Sequence, residues 1–122
     1  IDVGLGSTPT LYDANQDGLV DLVIGERSGN LNLYLNRGTI GQPSFSDVPD
    51  DELWQNVDTR NPYVFAGASS PTIFRTSDNQ WRMAVGSGPG NIWYYDHLDV
   101  DPLVPVDTSL AGIREGINTI LR

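Results

Sequence analysis

The stretch Asp13-Ala14-Asn15-Gln16-Asp17-Gly18-Leu19-Val20-Asp21, running on into Leu22-Val23-Ile24-Gly25, decides the reading of this chain. Oxygen-bearing side chains occupy its first, third, fifth and ninth positions. Gly18 sits sixth, where a loop folding around a cation must turn sharply, and Leu19 at the seventh place can offer its backbone carbonyl. Ca²⁺ takes about six to eight oxygens at roughly 2.3–2.6 Å, and this spacing aims them at one centre. Three carboxylates packed this closely repel one another unless a cation lies between them. The spacing therefore predicts one Ca²⁺ site, with Asp13, Asn15, Asp17 and Asp21 as side-chain ligands and Leu19 as a carbonyl ligand. The EF-hand shares the first half of the pattern, but its twelfth position needs a bidentate Glu and here holds Ile24. It also needs a following helix, whereas Leu22-Val23-Ile24-Gly25 reads as a strand ended by glycine. The plainer alternative is an acidic turn without metal; a full run of this kind is rare by chance.

Working outward, the loop belongs to a repeat. Ser7 to Tyr34 and Ser69 to Tyr95 align with one gap in the second copy. Eight positions are identical: Ser7/Ser69, Pro9/Pro71, Thr10/Thr72, Val23/Val85, Gly25/Gly86, Gly29/Gly90, Asn30/Asn91 and Tyr34/Tyr95. The shared order is strand, loop, strand, Gly-Asn turn, strand. A third copy is expected to begin at Asn118-Thr119-Ile120-Leu121-Arg122, which lines up with Pro71 to Arg75. Repeat 1 is set at about 7–66, repeat 2 at about 69–106 and the third start at 118–122. The opening Ile1-Asp2-Val3, with no Met, points the same way, to a piece of something longer.

The strand signals are local. Thr10-Leu11-Tyr12 is β-prone, and Leu22-Val23-Ile24 is apolar without alternation, as in a strand covered on both faces. Leu31, Leu33 and Leu35 alternate with Asn32, Tyr34 and Asn36, which predicts one apolar face. Ser28-Gly29-Asn30 and Pro89-Gly90-Asn91 supply tight turns. Arg37 to Asn61 reads as a long connection, with a strand near Tyr63-Val64-Phe65; Ala111 to Glu115 allows one helical turn. One such unit is too small a sheet to cover both its faces, so units must stack. The expected fold is all-β: propeller-type blades of short antiparallel strands, about two repeats plus the start of a third, within a larger propeller. Two blades alone would leave two apolar faces bare, which predicts further blades or self-association.

Composition narrows the function. The net charge is −9, with seven basic residues in 122. A phosphate backbone needs clustered Lys and Arg, so nucleic acid is not the expected partner. No window is apolar enough to span a membrane, so membrane insertion is not expected. There is no cysteine, which removes disulfides, thiolate metal sites and thiol nucleophiles. Thirteen Gly and eight Pro favour turns between short strands over helices.

The second copy has lost the loop chemistry. Arg75 replaces the first Asp, Ser77 the Asn and Asn79 the second Asp; one residue is missing and Arg82 falls at the last ligand position. A guanidinium, of Arg75 or Arg82, is expected to tie this loop together in place of a cation.

Asp13 to Asp21 followed by Leu22-Val23-Ile24-Gly25 resembles the D-x-(D/N)-x-D-G-x-x-D-(L/I/V)-x-x-G signature of FG-GAP/VCBS repeats of integrin-α-like propellers in secreted bacterial proteins. Asn36-Arg37-Gly38-Thr39, with Pro43-Ser44-Phe45 after it, resembles the spacer that follows such repeats. The likeness spans about Ser7 to Asp96 and is specific only in the first copy. It implies a propeller with Ca²⁺ in the loop between adjacent strands, held by Asp13, Asn15, Asp17, Asp21 and the Leu19 carbonyl. It also implies an extracellular or bacterial cell-surface setting.

Three functional classes follow. A non-catalytic module for adhesion, ligand recognition or scaffolding fits best, because no catalytic set is visible. His97 has no local Ser or Cys partner, and Asp47, Asp50, Asp51 and Glu52 read as a solvated acidic loop. Gly86-Ser87-Gly88-Pro89-Gly90 lacks a following Lys and is a turn, not a phosphate cradle. The alternatives are a carbohydrate-binding module, or an accessory propeller of a secreted polysaccharide-degrading enzyme. Trp93, aligned with Asn32 on the face opposite Leu31 and Leu33, is the sugar-stacking candidate; Trp54, Trp81, Tyr94 and Tyr95 are weaker ones, expected to pack between blades. The expected partners are an extracellular protein or a glycan.

Overall fold

In a computed structural model of the chain, residues 1–54, 57–59, 68–88, 90–96 and 98 are described. They form six strands: β1 Thr8–Tyr12, β2 Asp21–Gly25, β3 Leu31–Tyr34, β4 Ser70–Arg75, β5 Trp81–Gly86 and β6 Ile92–Tyr95. β1-β2-β3 make one antiparallel sheet and β4-β5-β6 a second. The described residues hold no α-helix, so the all-β expectation stands, and no helix there is long and apolar enough to cross a membrane. The expected strand at Tyr63-Val64-Phe65, the turn residue Pro89, His97, the helical turn at Ala111 to Glu115 and the third copy at 118–122 lie outside the described residues.

Each sheet is a three-stranded meander, and the registers superimpose the two copies. Pro9 pairs with Ile24 and Pro71 with Val85; Tyr12 pairs with Asp21 and Phe74 with Arg82. Val85 therefore stands at the level of Ile24, and Ala84 at that of Val23. The Val23/Val85 match is thus a coincidence of letters, and the missing residue falls in the loop before β5. The β-turns keep the Gly-Asn chemistry, with Gly29 at φ +102° and Gly90 at φ +98°, a region only glycine enters without strain.

One apolar cluster joins both sheets. Val23, Leu31 and Leu33 of the first meet Met83, Val85 and Tyr95 of the second, with Tyr12, Trp54, Val57 and Leu98 completing it. The β3 alternation is not a wet-and-dry pattern: Asn32, Tyr34 and Asn36 are 7%, 0% and 5% exposed. Chain from the long connection closes over β3. Leu33 N donates to Asp51 O at 2.8 Å, Asp50 N to Leu33 O at 2.8 Å, and Thr59 N to Gly29 O at 2.8 Å. These bonds satisfy an edge that would otherwise be open to pairing. Sequence periodicity sees only a strand's own residues and not this cover.

The two sheets are stitched at the buried Ser69, with Ala68 N donating to Arg27 O at 2.9 Å beside it. Ser69, 1% exposed, donates N–H to Glu26 O at 3.0 Å and its hydroxyl to Asn30 O at 2.7 Å. Its hydroxyl oxygen accepts from Glu26 N at 3.1 Å, and its carbonyl accepts from Thr8 Oγ1 at 2.9 Å. Gly25 lies beneath: a Cβ there would sit 2.4 Å from Ser69 O and 2.7 Å from Pro71 Cδ. The glycine is what lets the second sheet come this close.

Candidate metal centre

β1 and β2 part at the Tyr12–Asp21 pair, and residues 13–20 make the loop between them. The turn is sharp because Gly18 takes φ +90° and Gln16 takes φ +60°. A left-handed Gln costs on the order of 1 kcal/mol, which surrounding bonds must offset. They come from the loop's own oxygens. Asp13 Oδ1 accepts from Asp17 N at 3.1 Å and its Oδ2 from Gly18 N at 2.9 Å. Asn15 Oδ1 accepts from Asp17 N at 3.2 Å, and Asp17 Oδ1 from Leu19 N at 2.9 Å. Asn15 Nδ2 donates to Asp17 Oδ2 at 3.1 Å. Asp13, Asn15 and Asp17 are thereby gathered on the outer side of one turn, with Leu19 half-buried beside them.

Asp21 stands apart. It is fully buried, and its two oxygens accept from Ala14 N and Asn36 N, each at 2.8 Å. It fastens the start of the loop to the chain leaving β3. Burying a carboxylate costs several kcal/mol unless it is paired or well hydrogen-bonded. Among the described residues no ion pair reaches Asp13, Asp17 or Asp21. Nor do the described residues hold a group of three or more His, Cys, Asp or Glu placed to hold a metal. In chemistry the donor set fits a hard cation: it is carboxylate and amide oxygen throughout, without nitrogen or sulfur. Each carboxylate oxygen has two lone-pair directions, and each peptide N–H here uses one.

Asn36 is the residue that motif reading missed. Only 5% exposed, it donates Nδ2–H to Val20 O at 3.2 Å, and its Oδ1 accepts from Gly38 N at 2.9 Å and Ser44 N at 3.1 Å. The Asn36-Arg37-Gly38-Thr39 spacer is thus folded onto the end of the loop. Gly38 is obligatory there, since a Cβ would meet Gln42 O at 2.1 Å. Arg37 forks onto Asp50, which also accepts from Leu35 N at 2.7 Å. The guanidinium's hydrogen bonds hold the Asp50 carboxyl below the usual carboxylate range. The acidic run is therefore not uniformly solvated: Asp50 and Asp51 clasp β3, while the Asp47 side chain is fully exposed.

The second loop is built otherwise. Its hairpin zips one pair further, to Arg75–Trp81, leaving only residues 76–80 to turn. Arg82, at the level of Asp21, donates from Nε to Thr76 Oγ1 at 3.2 Å, from Nη1 to Tyr94 Oη at 2.8 Å and from Nη2 to Asp78 Oδ2 at 2.8 Å. Thr76 Oγ1 also donates to Asp78 Oδ1. Of the two arginines proposed to tie this loop, Arg82 is the one inside it. Arg75 lies instead over the Trp81 ring, 5.7 Å from its centroid.

Of the aromatics expected to pack between blades, Trp54 and Tyr95 are buried in the shared cluster, Tyr94 is half-buried and Trp81 is 41% exposed. Tyr12 touches Trp54 at 6.2 Å and Trp81 edge-on at 5.3 Å. Trp93 is half-buried and packs against the shared core. No family model, curated protein or solved structure matches the chain.

Proposed function

We propose that this chain is a non-catalytic, calcium-stabilised module of FG-GAP/VCBS type, working outside the cell in adhesion, ligand recognition or scaffolding. Calcium would be held by Asp13, Asn15, Asp17 and Asp21 with the Leu19 carbonyl, and would pin β1 to β2. One observation carries this reading. The two copies of the hairpin differ in how the loop is filled: the second holds the Arg82 guanidinium, and the first is lined by side-chain oxygens. A positive charge completes the second loop from within the chain; the first calls for one from solution.

A structural role asks little of the metal. Extracellular calcium modules bind at about 10⁻⁴–10⁻³ M. At about ten times Kd the ion adds roughly 1.4 kcal/mol to stability, or about 5 °C in Tm for a chain of this size. The test is thermal unfolding with and without a chelator. Chelation should lower Tm by that amount, and Asp17→Ala, an exposed position, should abolish the difference. A wild-type melting curve indifferent to chelator, with no Ca²⁺ retained on equilibrium dialysis, overturns the reading.

A further inference from the structure

The Asp17–Gly18 peptide is the one place in the chain where glycine follows aspartate, and glycine nowhere follows asparagine. A side chain on the following residue shields its peptide nitrogen from the carboxyl carbon behind it, whereas glycine, without a Cβ, leaves that nitrogen open. Both residues are exposed, and a Cβ on Gly18 would meet nothing within 4 Å among the described residues. A ring therefore has room to close over this peptide, and water is at hand to reopen it.

The hydrogen bonds of the turn set out the parts of that ring closure. Leu19 N donates to Asp17 Oδ1 at 2.9 Å, so the Asp17 side chain folds forward past the Gly18 nitrogen. Asn15 Nδ2 donates to Asp17 Oδ2 at 3.1 Å. These two donors make Asp17 Cγ a better target for attack and stabilise charge on its oxygens. Gly18 N–H points at Asp13 Oδ2, 2.9 Å away, a carboxylate within reach to take its proton. The second hairpin supplies the contrast. Asp78 also folds forward, its Oδ1 accepting from Gln80 N at 3.3 Å. Its neighbour Asn79 carries a side chain, however, and the Asn79 N–H is spent on a backbone carbonyl, Thr76 O, at 2.9 Å.

We propose that Asp17–Gly18 is a site of spontaneous isomerisation to isoaspartate, with Asp13 as the base. Gly18 N passes its proton to Asp13 Oδ2 and bonds to Asp17 Cγ. The carboxyl oxygen that leaves takes up that proton, relayed by Asp13, and a second from solvent, and departs as water. The product is a succinimide, one water lighter than the chain it came from. Water then opens the ring at one of its two carbonyls. Opening the bond between Gly18 N and Cγ restores aspartate. Opening the bond to the Asp17 backbone carbonyl gives isoaspartate, whose main chain runs through Cγ and is one methylene longer. The first loop thus carries an ageing site that the second lacks. No metal takes part, so the proposal stands apart from the calcium reading.

The experiment incubates the whole 122-residue chain with chelator at neutral pH and follows its peptides by mass spectrometry. Enzymatic methylation of isoaspartyl groups gives a second readout. The wild type should show a species one water lighter and then isoaspartate, at residue 17 and not at Asp78. Asp17→Glu, an exposed position, lacks the five-membered ring and should show neither. Asp13→Asn keeps an acceptor for Gly18 N but removes the base, and should slow the reaction by about tenfold or more. In urea, where the turn is lost, Asp13→Asn and wild type should react at the same rate, which separates the turn from the dipeptide. A wild type with no isoaspartate at residue 17, or as much at Asp78, or a folded Asp13→Asn chain reacting as fast as wild type, overturns the proposal.

Discussion

The two hairpins of this chain start from the same pattern and solve the same turn by different means. In the first, the strands part at Tyr12–Asp21, and the eight loop residues direct peptide N–H groups onto the oxygens of Asp13, Asn15 and Asp17. In the second, one fewer residue, one further strand pair and Arg82 give a closed hairpin. The second blade keeps the same meander without the loop oxygens of the first. In the second hairpin a guanidinium takes the place that oxygens hold in the first. An internal guanidinium is present at every ion concentration, whereas the proposed cation of the first loop would depend on the medium.

The largest effect should come from the junction that sets the two hairpins side by side. Gly25→Ala forces a Cβ to within 2.4 Å of Ser69 O, a backbone atom that cannot move without shifting β4. Overpacking of this kind costs about 1–3 kcal/mol, which lowers Tm by roughly 5–10 °C. Gly86→Ala, the same change in the other blade, meets nothing closer than 3.9 Å among the described residues and should leave Tm within about 2 °C of wild type. Equal losses in the two variants, measured by calorimetry, would mean the blades are not in the arrangement described.

The next effect separates the two arginines. Arg82→Met keeps the aliphatic stem and removes hydrogen bonds to Thr76, Tyr94 and Asp78. Its Tm should fall by about 3 °C and by the same amount with or without chelator. Arg75→Ala removes only the stacking on Trp81 and should cost about 0.5 kcal/mol, near 1–2 °C. If Arg75→Ala is the more damaging, the guanidinium that matters has been misassigned.

Much of this was legible in the sequence, and the rest was hidden for identifiable reasons. The repeat gave both meanders because each strand and turn is signalled within a few residues: Leu22-Val23-Ile24, Gly29-Asn30 and their counterparts. The gathering of Asp13, Asn15 and Asp17 was also local, since alternate positions of one turn share a side. Asp21 was seen as an oxygen donor, but its tie to Asn36 N spans fifteen residues and depends on where β3 ends. The roles of Asn36, Ser69 and Asp50 were invisible for the same reason. A side chain that satisfies a distant backbone group leaves no period and no spacing. Ser69 did leave one trace, its identity with Ser7, but only the structure shows which of the pair is buried. Arg82 was placed level with Asp21 from the sequence, but which guanidinium enters the loop depends on contacts to Thr76, Asp78 and Tyr94 that no spacing shows.

The smallest effect concerns acid, and it sharpens the contrast between the loops. The Asp78 carboxyl is held below the usual carboxylate range, first by the Thr76 hydroxyl, then by the Gln80 amide and Arg82, against partial desolvation. A carboxyl depressed in the folded state binds fewer protons there than in the unfolded chain, so it contributes stability above the usual carboxylate range. That contribution begins to fade as pH falls through the ordinary range and is gone only below the depressed value. The group is exposed, so solvent and salt screen the effect, and a side-chain NMR titration is the suitable measurement. Asp78 should titrate lower in wild type than in Arg82→Met, and the gap should narrow in high salt. If its midpoint is unmoved by Arg82→Met, the guanidinium is a neighbour of the loop and not its fastening. The contrast between the hairpins would then no longer support the proposal that an external cation completes the first loop.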